Sequence, residues 1–146
     1  MSSEYLGRLL VETSRAWRNT LDKRLQPLGL SQSRWMVLLI LEHLGDGITQ
    51  KCLSEGLGIE GPSLVGVLDR MEADGWVERQ ISNEDRRAKT VHRTSKAVEL
   101  TRDIRQIADG LREELLKGIS ESEIERTMNL LQTLKQRFEK LEAISK

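Results

Sequence analysis

The sequence has few of the residues that build disulfides, metal sites or catalytic centres. One cysteine, Cys52, among 146 residues forms no internal disulfide. The two histidines, His43 and His92, have no acidic cluster at ligand spacing, so we expect no metal site and no cofactor. The motifs of a nucleophile elbow and of a phosphate-binding glycine loop are also missing, which argues against an enzyme.

Long apolar runs and a net charge are missing as well. No apolar run approaches the roughly 18 residues that a membrane span requires. The start, "MSSEYLGRLLVETSR", carries charges where a signal peptide has its apolar core, so we expect a cytoplasmic protein without a membrane partner. Although aromatic residues make up only 3% of the chain, 38% is hydrophobic, which suffices for a single domain, 1–146, with its own core.

The balanced charge is unevenly distributed along the chain. Residues 85–110 hold seven Lys or Arg against four Asp or Glu, whereas residues 49–84 hold three against seven. The positive block begins within "NEDRRAKTVHRT", residues 83–94. A positive patch on a neutral protein suggests contact with an anion such as nucleic acid, although a short charge run is more often only a solvated surface.

Apolar residues three and four apart predict an amphipathic helix over 4–25 that ends near Pro27 and Gly29. Ser31 is a candidate cap for a second helix, which is apolar on nearly every side over 35–41 and should therefore be buried. Thr49 is a candidate cap for a short third helix, with Leu53 and Leu57 inward and Gly58 as its stop.

The stretch "EGPSLVGVLDRMEADG" predicts a fourth helix over 62–74, with Pro62 at its first position and Gly75 as its left-handed stop. Its inner side is given by four residues at i, i+3, i+4 and i+7: Leu64, Val67, Leu68 and Met71. Its outer side is small or polar: Pro62, Ser63, Val65, Gly66, Asp69 and Arg70. Two short helices of this kind suit a helix-turn-helix, although many compact helical domains contain such a pair.

After Gly75 the apolar period changes from 3.6 to 2. "WVERQI" places Val77, Arg79 and Ile81 on one side of a strand, and "SNED" is rich in turn residues before "RRAKTVH". The pattern predicts a β-hairpin over 77–93, which we call the wing. An arginine at the end of such a hairpin can enter the minor groove while its neighbours contact phosphates.

Residues 49–97, "TQKCLSEGLGIEGPSLVGVLDRMEADGWVERQISNEDRRAKTVHRTSKA", resemble the winged helix-turn-helix of MarR-family transcription regulators. "IEGPSLV" and "DRRAK" look most like the SlyA branch, and the likeness extends upstream over 15–44. The family's wing signature, D-x-R and after five residues L-T, maps onto Asp85, Arg87 and Thr94. The resemblance implies that Asp85 orients the wing and that Arg87 is the minor-groove residue.

The resemblance implies a homodimer that regulates transcription by binding pseudo-palindromic double-stranded DNA. The fourth helix would lie in a major groove and the wing in a flanking minor groove. The predicted DNA-binding residues are Thr49, Gln50, Pro62, Ser63, Val65, Gly66, Arg70, Asp85, Arg86, Arg87 and Lys89. Repression and activation of the target genes both remain open.

Two positions depart from the family pattern. Position 66 is glycine where SlyA-like relatives have arginine, which implies weaker base-specific binding and a larger share of the affinity for the wing. Position 93 is arginine where the signature has leucine, so the strand loses an apolar anchor. We expect either that the stem of Arg93 snorkels or that the wing is looser.

The two ends of the chain are predicted to dimerise. Apolar residues three and four apart continue from Ala97 to Leu115 and from Ile124 to Leu141, and a capping box from Ser120 to Glu123 folds the two helices into a hairpin. These stripes would make residues 1–28 and 95–146 a helical dimerisation region around a DNA-binding module over 31–94. An intramolecular core is the alternative reading.

Ligand binding is a weaker expectation. The resemblance implies a crevice for a small aromatic carboxylate or phenol, lined by Trp17, Arg18, Arg34 and Trp35, although the two tryptophans are more simply core residues. Three other readings remain open: a winged-helix protein-interaction module that has lost strong DNA binding, a redox sensor based on Cys52, and an enzyme on a helical scaffold. The last is disfavoured because no polar constellation converges.

Overall fold

The computed structural model describes residues 2–146, and in these residues it has six α-helices and a three-stranded antiparallel sheet. The helices are α1 (Leu6–Leu25), α2 (Gln32–Leu44), α3 (Gln50–Leu57), α4 (Gly61–Ala73), α5 (Ser95–Leu116) and α6 (Glu121–Ser145). The strands are β1 (Ile48–Thr49), β2 (Val77–Ile81) and β3 (Lys89–Arg93). Short 3-10 turns lie at Ser3–Tyr5 and Gln26–Leu28. The predicted fold class, mainly helical with a small sheet, is confirmed.

The chain divides into two compact units, one up to Leu111 and one from Arg112 to Lys146, and the boundary lies within α5. The first unit contains the core, which α1 to α5, β2 and β3 share. The second unit consists of the end of α5 and all of α6, and α6 has no buried residue. In the described part of the chain, no helix is long and apolar enough to cross a membrane.

The core of the first unit is made of the residues that the apolar spacing places inward. Its buried hydrophobic residues are Leu21, Leu25, Leu30, Trp35, Val37, Leu38, Leu41, Leu53, Leu64, Val67, Leu68, Met71, Val77, Val91, Ala97, Ile104 and Leu111. All four inner residues predicted for the fourth helix belong to this set. Burying a leucine-sized side chain contributes about 1.5–3 kcal/mol, so this set holds α4 firmly with its other side outward.

The helix ends follow the capping residues with small shifts. The Thr49 hydroxyl accepts a hydrogen bond of 3.1 Å from the Cys52 N–H at the start of α3, and Gly75 ends α4 with a φ of +78°. Helix α4 begins one residue earlier than predicted, at Gly61, so Pro62 is its second residue. Ser31 precedes α2 as predicted but makes no side-chain capping bond.

The sheet has one more strand than the predicted hairpin, and its order is β1-β3-β2. Strand β1 pairs Ile48 with Val91, and β2 pairs Val77 with Arg93. The two-residue length of β1 left no periodic pattern in the sequence. Ile81, predicted on the same side as the buried Val77, is 66% exposed because the hairpin extends beyond the core.

Candidate nucleic-acid interface

Helices α3 and α4 form a helix-turn-helix pair whose second helix presents a small, polar surface. The turn passes through Gly58, which has a φ of +68° and lets the chain reverse without strain. The residues predicted for the outer side of α4 lie there: Pro62, Ser63, Val65, Asp69 and Arg70 are exposed and Gly66 is half-buried. With so little side-chain bulk, backbone can approach base edges closely.

Gly66 and Arg70 lie together on this outer side, one helical turn apart. A Cβ atom added to Gly66 would lie 3.7 Å from Nη1 of Arg70, so the guanidinium covers the bare backbone of Gly66. Helical side chains lean toward the helix N-terminus, which explains why a side chain at 70 reaches the surface at 66. The guanidinium of Arg70 therefore lies beside position 66, although the residue at that position is glycine.

The end of the wing, residues 82–88, is a hydrogen-bonded turn that Asp85 organises. Its carboxylate accepts from the Arg87 N–H at 3.0 Å, and its carbonyl accepts from the Ala88 N–H at 3.0 Å. The Ser82 N–H closes the turn by donating to the Ala88 carbonyl at 2.9 Å. These contacts give Asp85 an ordering function within the wing.

Three cations on the wing, Arg86, Arg87 and Lys89, are exposed and form no ion pair with any of residues 2–146. We call them the wing cations. Two further arginines of the wing, Arg79 and Arg93, are each paired with carboxylates at its base. The wing therefore separates its structural guanidinium groups from those available to an external anion.

Arg79 on β2 connects the wing to α4. Its Nη2 lies 2.6 Å from Asp69 Oδ1, its Nε lies 2.6 Å from Glu72 Oε2, and its side chain is 15% exposed. Partial burial alone would lower the pKa of Arg79, but the hydrogen bonds to Glu72 and Asp69 outweigh it and raise the pKa above its ordinary value. The single positive charge of Arg79 thus offsets part of the negative charge of two carboxylates beside the outer side of α4.

Arg93 at the base of β3 is paired with a carboxylate instead of snorkelling, which corrects that expectation. Its Nε and Nη2 each lie 2.9 Å from the Asp46 carboxylate, and its backbone N–H donates to Asp46 Oδ1 at 3.0 Å. The Arg93 side chain is 11% exposed. An ion pair takes the place of the apolar anchor because an acidic partner, 47 residues earlier, lies beside the strand.

A cleft of about 460 Å³ brings the start of α3 and the wing together. Its lining residues are Thr49, Gln50, Lys51, Ser82, Glu84, Asp85, Arg87, Ala88 and Lys89. Five of these were predicted as DNA-binding residues from the sequence, whereas Lys51 was not. Its position in the first turn of α3, next to Gln50, was the signal that could have identified it.

The residues predicted for a ligand site have different surroundings, and of the four only Arg18 lines either of the two clefts described for residues 2–146. Arg18 lines a cleft of about 220 Å³ together with Gln32, Ser33, Met36 and the α3–α4 turn. Trp35 is 3% exposed and donates its indole N–H to Asp22 at 2.9 Å. Arg34 is paired with Asp74 at 3.2 Å. Trp17 is half-buried against the core.

The helix-turn-helix pair, the adjoining three-stranded sheet and the exposed wing cations define a winged-helix DNA-binding protein. The MarR family model matches residues 28–88, from the end of the turn after α1 into the wing. The chain belongs to the MarR family of transcriptional regulators.

Solved structures agree with this membership. The chain is 46% identical to the transcriptional regulator PA3341, and the match covers 93% of this chain and 99% of that one. The two structures superpose with a TM-score of 0.87. A MarR transcriptional regulator from Methanosarcina mazei Go1 is 25% identical, with coverage of 95% and 99% and a TM-score of 0.82. A mutant of MarR from E. coli, solved in complex with operator DNA, is 27% identical, with coverage of 88% and 92% and a TM-score of 0.75.

Proposed function

We propose that the protein is a cytoplasmic, homodimeric regulator of the SlyA type that binds a pseudo-palindromic operator. In each subunit α4 lies in the major groove and the wing, residues 77–93, lies in a flanking minor groove. One observation carries the proposal: three exposed cations, Arg86, Arg87 and Lys89, form no ion pair within residues 2–146 and lie on a hydrogen-bonded hairpin that Arg79 joins to α4. The operator complex of the related E. coli protein supports the same class of target.

The remaining predicted DNA-binding residues divide into two groups under this proposal. Thr49, Gln50 and Lys51 line the cleft beside the wing and would position a phosphate chain. Ser63 and Arg70 lie on the outer side of α4 and would contact base edges. Because Arg70 covers Gly66, the glycine need not weaken base recognition, which moves from position 66 to a side chain one turn later.

The test is a dissociation constant measured at about 50 and 200 mM salt on a duplex selected from a randomised library by the full chain. The logarithm of the affinity should fall with the logarithm of the salt concentration by about 0.9 per neutralised phosphate. Arg87→Ala should weaken binding to selected and unselected duplexes alike and reduce this slope by about one. Arg102→Ala, which removes an exposed arginine of α5, is the matched control and should leave the slope unchanged.

Arg70→Ala separates base contacts from phosphate contacts in the same titrations. It should lose about 1–3 kcal/mol on the selected duplex and much less on unselected ones, because a guanidinium on a base edge discriminates between sequences. Equal losses on all duplexes would contradict a base contact. Duplex binding that is absent or insensitive to salt would instead favour the protein-interaction module.

A small aromatic carboxylate or phenol remains our proposal for an effector. The cleft that Arg18 lines supports it, since it offers a guanidinium, the polar Gln32 and Ser33, and the apolar Met36. Trp35 and Arg34 are engaged with Asp22 and Asp74, so an effector would contact them only by competing for these partners. Titration with benzoate and phenol, followed by intrinsic fluorescence of the wild type and Arg18→Ala, tests this site, and equal responses of the two proteins would contradict it.

A further inference from the structure

The loop that joins α2 to β1 is shaped around Asp46. Gly45 and Gly47 flank this residue with φ values of +102° and +96°, which L side chains rarely adopt. The Gly47 N–H donates to the Val91 carbonyl at 2.8 Å, so the loop is attached to β3 two residues before Arg93. The loop conformation thus presents the Asp46 carboxylate to the base of the wing.

Asp46 continues the sheet beyond β1. Ladder pairing on this side of β3 stops at Ile48 and Val91, yet the Arg93 N–H still has an acceptor in Asp46 Oδ1. The guanidinium adds two charge-assisted bonds of 2.9 Å to the same carboxylate. With Asp46 34% exposed and Arg93 11% exposed, water screens this contact less than an ion pair on the open surface.

We propose that Asp46 and Arg93 form an anchor that positions the wing for DNA, and that Arg93 acts through Asp46 rather than by contacting DNA itself. This inference rests on the proposed function of the wing. Asp46 and Arg93 are both positioning residues. Removing the carboxylate would release the base of β3 and leave the wing cations on a less ordered hairpin.

The length of β3 makes the anchor important for the wing cations. At about 3.3 Å per residue, Lys89 lies roughly 13 Å from Arg93, and a tilt of about 10° at the base moves the far end by about 2 Å. Hydrogen-bond distances to a phosphate or a base vary by only about 0.5 Å, so such a tilt breaks them. An anchored wing also avoids the entropic cost of ordering on binding.

The experiment compares Asp46→Ala with Glu42→Ala on the library-selected duplex. Glu42 is a matched control because it is also 34% exposed and is paired with an arginine, Arg105, at 3.2 Å, but it joins α2 to α5 rather than to the wing. Each variant removes one negative charge. We expect Asp46→Ala to bind about tenfold more weakly, equivalent to about 1.4 kcal/mol, and Glu42→Ala to bind within about twofold of the wild type.

The sign of the change separates an anchor from a direct contact. If Arg93 were a DNA contact held back by Asp46, Asp46→Ala would free it and tighten binding, which would overturn the proposal. The double variant Asp46→Ala with Arg93→Ala should bind the duplex no more weakly than Asp46→Ala alone, because each substitution removes the same contact between the two side chains. Losses that simply add would also overturn it.

Amide hydrogen exchange provides a readout that does not require DNA. Exchange across residues 82–93 should be faster in Asp46→Ala than in the wild type, and intermediate in Asp46→Asn, which keeps an acceptor for the Arg93 N–H. Equal exchange in all three proteins would overturn the anchor.

The binding outcomes distinguish failure of the anchor from failure of the proposed function. If the wild type binds duplex but Asp46→Ala and Glu42→Ala bind it equally well, only the anchor fails. A wild type that binds no duplex overturns the proposed function and the anchor together.

Discussion

At the scale of single residues, arginines that look equivalent in the sequence have different surroundings. Arg79 and Arg93 are mostly buried and bound to carboxylates at the base of the wing, whereas Arg86 and Arg87 are exposed and unpaired within residues 2–146. The sequence indicated that cations gather near the wing. It did not indicate which of them are engaged, because the partners of Arg93 and Arg79 lie 47 and up to 10 residues away along the chain.

Replacing Arg79 tests whether neutralising α4 matters for DNA. Arg79→Gln leaves the carboxylates of Asp69 and Glu72 unpaired near the phosphates, so we expect about tenfold weaker binding to the selected duplex. Stability should fall by about 1–2 kcal/mol, which is the range for hydrogen bonds to charged groups reduced for screening by water, because Asp69 is 57% exposed. Fluorescence titration and denaturant unfolding measure the two effects.

The matched control adds Asp69→Asn and Glu72→Gln to Arg79→Gln. If repulsion from the two carboxylates causes the loss of affinity, the triple variant should bind more tightly than Arg79→Gln alone. A triple variant as weak as the single one would show that Arg79 acts only through the position of the wing, and an unimpaired Arg79→Gln would contradict both explanations.

Asp46 should make the free energy of unfolding decrease at acid pH. Partial burial alone would raise the pKa of Asp46, but hydrogen bonds and charge attraction from Arg93, with a smaller attraction from His92, lower it below its usual 3.8. A carboxyl whose pKa is lower in the folded state stabilises the fold above its unfolded pKa, and this contribution disappears as the pH falls through the folded value. The contribution should therefore be complete at pH 7 and lost below the usual pKa of 3.8.

Unfolding by denaturant at pH 7 and at about pH 3 checks this linkage at one fixed protein concentration. The free energy of unfolding of the wild type should exceed that of Asp46→Asn at pH 7, and the difference should shrink toward pH 3. A difference that stays constant or grows on acidification would contradict the lowered pKa.

At the scale of elements, the helices were the predictable part of the molecule. The inner residues of α4 and the Thr49 cap of α3 follow local rules of spacing and hydrogen bonding, and the structure has both. Strand β1 was not predicted because a strand of two residues is too short to show alternating apolar residues. The contact of Arg93 with Asp46 was not predicted because the two residues are distant in sequence. The predicted ligand residues are on adjacent helices, but which cavity each one lines depends on packing.

Helix α6 has an apolar stripe that its own unit leaves exposed. Met128, Phe138 and Leu141 are 60%, 63% and 60% exposed, and Leu131 is 42% exposed. The same helix has an N-cap at its start, where the Ser120 hydroxyl accepts from the Glu123 N–H at 3.2 Å. An ordered helix with so much exposed apolar surface supports pairing with a second copy of the chain.

Phe138→Glu tests the role of this stripe in dimerisation. A carboxylate at the centre of an apolar interface would be desolvated without a partner, so the variant should dissociate to monomers at concentrations where the wild type is dimeric. Gln136→Glu adds the same charge on the polar side of α6 and is the matched control, which should remain dimeric. Sedimentation velocity measures both, and a dimeric Phe138→Glu would contradict an interface through α6.

At the scale of the whole molecule, the proposal places two wings and two α4 helices on one duplex. A two-fold dimer matches a two-fold operator, with half-sites about one helical turn, roughly 10 base pairs, apart. The neutral net charge of the chain is compatible with this because exposed positive charge is concentrated on the wing. Arg79 and Arg34 pair with Asp69, Glu72 and Asp74 and offset two of their three negative charges. DNA binding therefore depends on where the charges lie rather than on their sum.

Hydroxyl-radical footprinting of the full chain on its library-selected duplex tests the central claim most directly. The account predicts two protected minor-groove segments, one for each wing, symmetric about the centre of the site, and loss of both in Arg87→Ala at protein concentrations that still occupy the major groove. Protection of one half-site only, or a minor-groove pattern that Arg87→Ala leaves unchanged, would contradict it.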